Sequence, residues 1–284
     1  ENIPAAWQQR TKTGDPALTG WSPPSSLVAP ANQDALDYLR DVFVAFADIA
    51  DTAGLLVHMQ IGEPWWWYQL DTKEPCFYDD VTEALYVSET GNPVPARHGS
   101  IFEIPDASQQ DYLDWLGEKL GASTIWLRDQ LKSAYPAAHV MLLFYTPQVL
   151  NTSAPMLASA NFPATFWAFP AFDRLQVEDY DYVIDGDWRA RSDALAYIDG
   201  QLGYPRSRTH YFSGFNLLAE TAHIWTNIDA AIDRGRAQNF DEVFVWAYSQ
   251  MVRDGFVYAG YQEVEMSGFH EVRFPDDISF GSTG

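Results

Sequence analysis

The sequence predicts an α/β fold of the TIM-like (β/α)8 kind, incomplete or irregularly closed on its N-terminal side. Three observations carry this reading. Short apolar runs of strand length alternate with longer segments of helical periodicity. The runs close on Gly, Pro or Asn and the links between them are short, as parallel β/α units require. The length of 284 residues suits a single barrel of this type.

Residues 1–31 are rich in Pro, Gly and Ser and read as an extended arm or loop ahead of the barrel, which spans 32–268. Asn32 is placed to cap a helix over about 33–52, on which Leu36, Leu39, Phe43, Phe46 and Ala50 share a face, and Gly54 ends it. Residues 55–63 form an apolar strand stopped by Gly62 and Pro64. Residues 70–105 lack periodicity and read as a long insertion. Asp106 caps a second helix over about 107–133 that buries Tyr112, Leu113, Leu116, Leu120, Trp126, Leu127 and Leu131, with Gly121 as a candidate break. A buried strand over 139–146 closes on Pro147. Strands at 174–184, 209–215 and 241–248 then alternate with helices near 192–201 and 219–234. That makes five strands where a closed barrel has eight. About 54 residues precede the first one, too few for three β/α units at about 30 residues each. The N-terminal part is therefore cut away, or the sheet is open or irregularly completed.

Charge narrows the function. The formal net charge is −22, from 39 acids against 17 bases, which argues against nucleic acid or an anionic membrane as partner. No run approaches 18 apolar residues, so no membrane span is expected. Cys76 is the single cysteine, which excludes an intrachain disulfide. The start at Glu1 shows neither initiator Met nor signal pattern, so the chain reads as a fragment or processed product. Metal-protease, P-loop, nucleophile-elbow and dinucleotide motifs are missing from the sequence, and its six histidines are scattered, so no cofactor or metal is expected.

The candidate chemistry lies at strand ends, where α/β barrels carry their sites. Glu63 follows the first strand and is succeeded by Trp65, Trp66, Trp67 and Tyr68. A carboxylic acid beside flat rings suits sugar binding and glycoside cleavage: rings stack on pyranose faces and the acid protonates a leaving oxygen. The second carboxylate is sought among Asp179 and Asp181, which share strand parity with Leu175 and Val177 and are expected to point into the barrel. Tyr145, Asn216 and Trp246 close or follow later strands and complete the expected rim.

Two resemblances add to this. The order helix, strand, Gly62-Glu63-Pro64 resembles the large clan of retaining glycoside hydrolases, whose fourth strand ends in Asn-Glu-Pro. That resemblance implies that the strands here are the fourth to eighth and that Glu63 is the acid/base. It also implies a nucleophilic Glu at the end of the seventh strand, where this chain has 210–216 without a carboxylate. The segment 269–284, beginning Phe269-His270-Glu271-Val272-Arg273-Phe274-Pro275, resembles the opening of a tail-protein family of siphophages and gene transfer agents. The runs 60–67 and 75–79 are similar to the barrel that precedes this domain in non-contractile tail sheath proteins. This implies a virion tail module acting outside the cell. Its partners would be other tail proteins, further copies of itself in the tail assembly, and a host-surface glycan. It also implies that glycosidase activity is degenerate, the alternative being an active hydrolase of cell-surface polysaccharide.

Overall fold

The computed structural model describes residues 3–20 and 23–258. Five parallel strands form one sheet in chain order: β1 (His58–Ile61), β2 (His139–Tyr145), β3 (Arg174–Glu178), β4 (Thr209–Phe212) and β5 (Glu242–Phe244). The parallel, sequential order expected for a β/α barrel is met. Among the described residues β1 and β5 each pair on one side only, so the barrel is open. The expected domain opening at 269–284 lies outside the described residues.

Ten helices connect and cover the described strands. α1 (Gln33–Thr52) starts where the Asn32 side chain accepts the Ala35 N–H at 3.0 Å. α2 (Asp80–Thr90) lies inside the stretch read as a long insertion without periodicity. Its start is set by Asp79, whose buried carboxylate takes the Thr82 N–H and hydroxyl. α3 (Ala107–Ala134) opens on a capping box between Asp106 and Gln109. Gly121 does not break it. Gly117 and Gly121 instead let neighbouring backbone and the Phe166 ring approach the helix closely. Three short helices follow β2: α4 (Thr146–Val149), α5 (Met156–Asn161) and α6 (Ala164–Trp167). After β3 come α7 (Tyr180–Asp185) and α8 (Trp188–Leu202). α9 (Ile224–Ala237) and α10 (Tyr248–Asp254) flank β5.

Alternation and register sort the sheet into two faces. Ile61, Val140, Leu142, Phe144, Leu175, Val177 and Tyr211 are buried and belong to the helix-covered side. The other side carries His58, Gln60, His139, Met141, Tyr145, Arg174, Gln176, Glu178 and Glu242, of which none is fully buried, together with buried Leu143, His210 and Phe212. This corrects the parity assigned to the third strand. Leu175 and Val177 face the helices, so the residue carried to the barrel side at the strand end is Glu178. The strand also stops there. Asp179 turns the chain (φ −141°, ψ 23°) into α7, and Asp181 is helical.

Residues 5–20 and 23–31 form an irregular pleat, with antiparallel bridges Gln8 to Val28 and Leu18 to Ser26. Gln9 ties it to the sheet's rim: its buried amide donates to Val28 and Trp65 carbonyls and accepts the Trp67 N–H at 2.7 Å.

Candidate functional site at the carboxyl ends of the strands

The rim is built around Glu63 and Glu178. Glu63 follows β1 with φ 46°, a left-handed conformation unusual for a residue with a side chain. Its carboxyl is exposed at the rim, yet the surrounding protein raises its proton affinity by displacing water. Glu178 ends β3, half-buried, and its carboxyl is pushed up to about 7. Burial is the main cause. A hydrogen bond from Gln176 at 2.9 Å opposes it, and the charges of Glu63 and Asp179 add to it. Glu63 and Glu178 thus feel one another across β2.

Tyr145, at the end of β2, lies between these two strands. Its ring stacks on Tyr180 with centroids 4.7 Å apart. Tyr180 in turn meets Phe215 at 4.8 Å and Phe212 at 5.9 Å, and Trp65 meets Tyr145 at 6.3 Å. A belt of rings therefore follows the strand ends from β1 to β4. Asp181 joins the belt. Lost hydration raises its pKa, a hydrogen bond with the Tyr145 hydroxyl lowers it, and the Asp185 charge raises it again.

The other expected site residues are placed differently. Trp65 and Trp66 are core: they are 3% and 0% exposed, and the Trp66 indole donates to the Leu116 carbonyl. Asn161, itself buried, brackets Trp66 by accepting its N–H at 2.7 Å and donating to its carbonyl at 3.0 Å. Those bonds hold the aromatic run inside, which leaves neither ring free to stack on a sugar. Trp67 is half-buried and stacks on Tyr68. Asp179 is fully buried, paired with Arg191 at 3.2 Å, and accepts the Tyr211 hydroxyl at 2.7 Å. Burial pushes its carboxyl up to about 6 against these two partners. It is a structural charge with no access to a ligand. Asn216 is also buried, and pins its loop to Asp254 and Thr221. Trp246 is 59% exposed beyond β5.

Sequence reasoning chose Asp179 and Asp181 and passed over Glu178. The polar alternation Arg174, Gln176, Glu178 was the signal for the barrel-facing side. Tyr180, Phe212 and Phe215 were missed because their meeting depends on the turn at Asp179.

The carboxyl ends of β2 and β3 also open onto a cavity of about 830 Å³, lined by Tyr68, Tyr145, Gln148, Asp181, Tyr182, Asp185 and Tyr197 among others. Among the described residues there is no cluster of metal-ligating side chains, and no helix is long and apolar enough to cross a membrane.

A family model described as the TIM barrel of non-contractile tail sheath protein matches residues 1–256. Among solved structures, the chain is similar to the PgaB (BpsB) glycoside hydrolase domain from Bordetella bronchiseptica, with a TM-score of 0.55 at 13% identity. The likeness covers 88% of this chain and 67% of that one. At that identity it shows a shared fold and nothing of activity. No curated protein sequence matches.

Proposed function

The chain belongs to the TIM-barrel family of non-contractile tail sheath proteins, and from that premise we propose that this phage tail module contacts a host-surface carbohydrate through its strand-end rim without cleaving it. The observation that carries the proposal is the ring belt of Tyr145, Tyr180 and Phe215 along the strand ends, with Glu63 after β1 and Glu178 at the end of β3 beside it. Rings and carboxylates together bind the apolar faces and the hydroxyls of a sugar. Trp67 and exposed Trp246 would extend the contact. Other tail proteins, and further copies of this chain, are its assembly partners in this reading.

A second reading is an active glycoside hydrolase: Glu178 ends β3 in a half-buried position where lost hydration pushes its carboxyl up to about 7, with the Glu63 charge adding to the rise, and a carboxyl pair of which one member keeps a proton is what glycoside cleavage needs. In that reading Glu63 and Glu178 act together as acid/base and partner, replacing the carboxylate expected after the seventh strand.

Binding and turnover of purified host-surface polysaccharide separate the two. Binding by the wild type without turnover, weakened in Glu63→Gln and Glu178→Gln, is the expected result. Turnover by the wild type that vanishes in both Glu63→Gln and Glu178→Gln would establish the hydrolase instead. A protein that binds no host glycan would overturn both.

A further inference from the structure

Three of the six histidines scattered in the sequence meet on the barrel side of the sheet. His58 on β1 lies opposite His139 on β2, and their rings stack with centroids 4.9 Å apart. His210 on β4 is 6% exposed and faces the same way, and the charge of His58 reaches it. Among the described residues both nitrogens of His210 and the Nδ1 of His139 are buried without a hydrogen-bond partner. Buried polar atoms are ordinarily paired, and leaving them unpaired costs stability.

The charges around this layer do little to neutralise it. Among the described residues neither His58 nor His139 has a carboxylate within ion-pair distance. Asp173 feels the charge of His139, but it is bound to Lys132 at 2.7 Å and accepts the Val140 N–H. Asp241 is paired with Arg174 and stands 3.5 Å from His210 Nε2. Glu242, opposite His210 on β5, is exposed. Lost hydration holds His210 below the usual imidazole range; Glu242 opposes this, and Arg174 and His58 add to it.

β1 is where added charge has most effect. It is four residues long and, among the described residues, pairs with β2 alone. Short elements held by few contacts open first. Imidazoles gain protons between about pH 8 and about pH 5, and charged rings in stacking contact repel one another. We propose that His58, His139 and His210 form an acid-sensitive latch on β1. As they charge, repulsion across the barrel side loosens β1 from β2, and Glu63, which follows the strand, loses its fixed place at the rim. For His210 the sign is set: its folded-state pKa lies below its unfolded one, so the stability it contributes is lost as pH falls through the imidazole range. The latch works through the sheet and does not depend on what the rim binds.

Hydrogen exchange read by mass spectrometry tests it, with protection corrected for the intrinsic pH dependence of exchange. Between about pH 7.5 and about pH 5.5 the wild-type peptide over β1 should lose roughly tenfold in protection, while those over β3 and β4 keep theirs. His58→Gln/His139→Gln should remove most of that loss, and His210→Gln part of it. His223→Gln, which takes an exposed imidazole from the start of α9, should leave it unchanged. Glu178 titrates near the same range with the opposite effect, and its contribution is common to the wild type and the histidine variants. Protection of β1 that is flat with pH in the wild type would overturn the latch by itself. So would a loss shared equally by all five strands, or one retained in full in His58→Gln/His139→Gln.

Discussion

Glu178 and Asp179 are neighbours in sequence with opposite duties. Glu178 ends a strand on the open side of the sheet and is poorly solvated there, while Asp179 turns inward to Arg191 and Tyr211. The pKa of Glu178 rises from an ordinary 4.5 to about 7 on folding. The folded state therefore holds more protons than the unfolded one between those values, and stability falls as pH rises through that window. Glu178→Gln should remove this loss. We expect it to stabilise the protein by about 1 kcal/mol at pH 8, a value reduced for the water that reaches a half-buried group, and by almost nothing at pH 4. Urea unfolding at both pH values reads this directly, and a variant less stable than wild type at pH 8 would refute it. Asp179 should behave oppositely. Asp179→Leu strands the guanidinium of Arg191, 1% exposed, without its counter-charge, at a cost of about 3–5 kcal/mol. Adding Arg191→Met should recover most of that loss. If it recovers none, the pair is not what Asp179 contributes. The sequence made Glu63 legible through Gly62 and Pro64. It could not reveal that Trp66 is bracketed by Asn161, 95 positions away, which is why rings that read as platforms proved to be core.

At the scale of elements, α3 shows a helix whose own propensity is overridden by its neighbours. Gly117 and Gly121 weaken an isolated helix by about 1 kcal/mol each relative to Ala. In the folded chain a Cβ on Gly121 would meet the Phe166 ring at 2.5 Å, and one on Gly117 would run into the Ser159 carbonyl oxygen. The backbone oxygen cannot rotate aside as a side chain can. Gly117→Ala should therefore destabilise by about 1–3 kcal/mol in spite of its better propensity, with Gly121→Ala costing less if Phe166 changes rotamer. Thermal unfolding of the two variants checks the order. A stabilised Gly117→Ala would mean that α5 yields freely to α3. The helices with side-chain caps at Asn32 and Asp106 were legible almost to the residue, because a cap is a local signal. Strand ends were not. β1, β3, β4 and β5 all stop earlier than the strands expected there; β3 ends because Asp179 turns the chain into α7, while backbone bonds from Ser213 to Phe244 and from Trp246 to Gly214 carry the β4–β5 pairing a little further. α2 escaped notice because it is marginally amphipathic and buries only Thr82 and Tyr86.

At the scale of the molecule, five parallel strands in chain order make an open barrel that carries an excess of negative charge. All-parallel sheets ordinarily have both faces covered. Here helices cover one face, and the other carries His58, His139, Arg174, Gln176, Glu178 and Glu242. Leu55 and Leu56 beside β1 are 65% and 74% exposed, and Trp246 and Tyr248 beyond β5 are 59% and 80% exposed. The rhythm of strand and helix made this architecture readable from sequence; the open edge could only be inferred there from a count of strands. The charge has a separate consequence. A formal −22 makes the folded chain repel itself, because folding brings 39 acids closer together than the unfolded chain does. Salt shortens the reach of that repulsion from about 10 Å at 0.1 M to about 3 Å at 1 M. Salt also weakens exposed ion pairs such as Arg97 with Glu83 and Arg206 with Asp199. Each such pair contributes only about 0–1 kcal/mol, and with 17 bases against 39 acids the unpaired acids outnumber the paired. Repulsion should win, so the melting temperature should rise by several degrees between low salt and about 0.5 M NaCl, and equally in KCl, since screening depends on ionic strength and not on the identity of the cation. A melting temperature that falls with salt would show that the ion pairs outweigh the repulsion. A rise confined to one cation would show a specific ion site in place of screening.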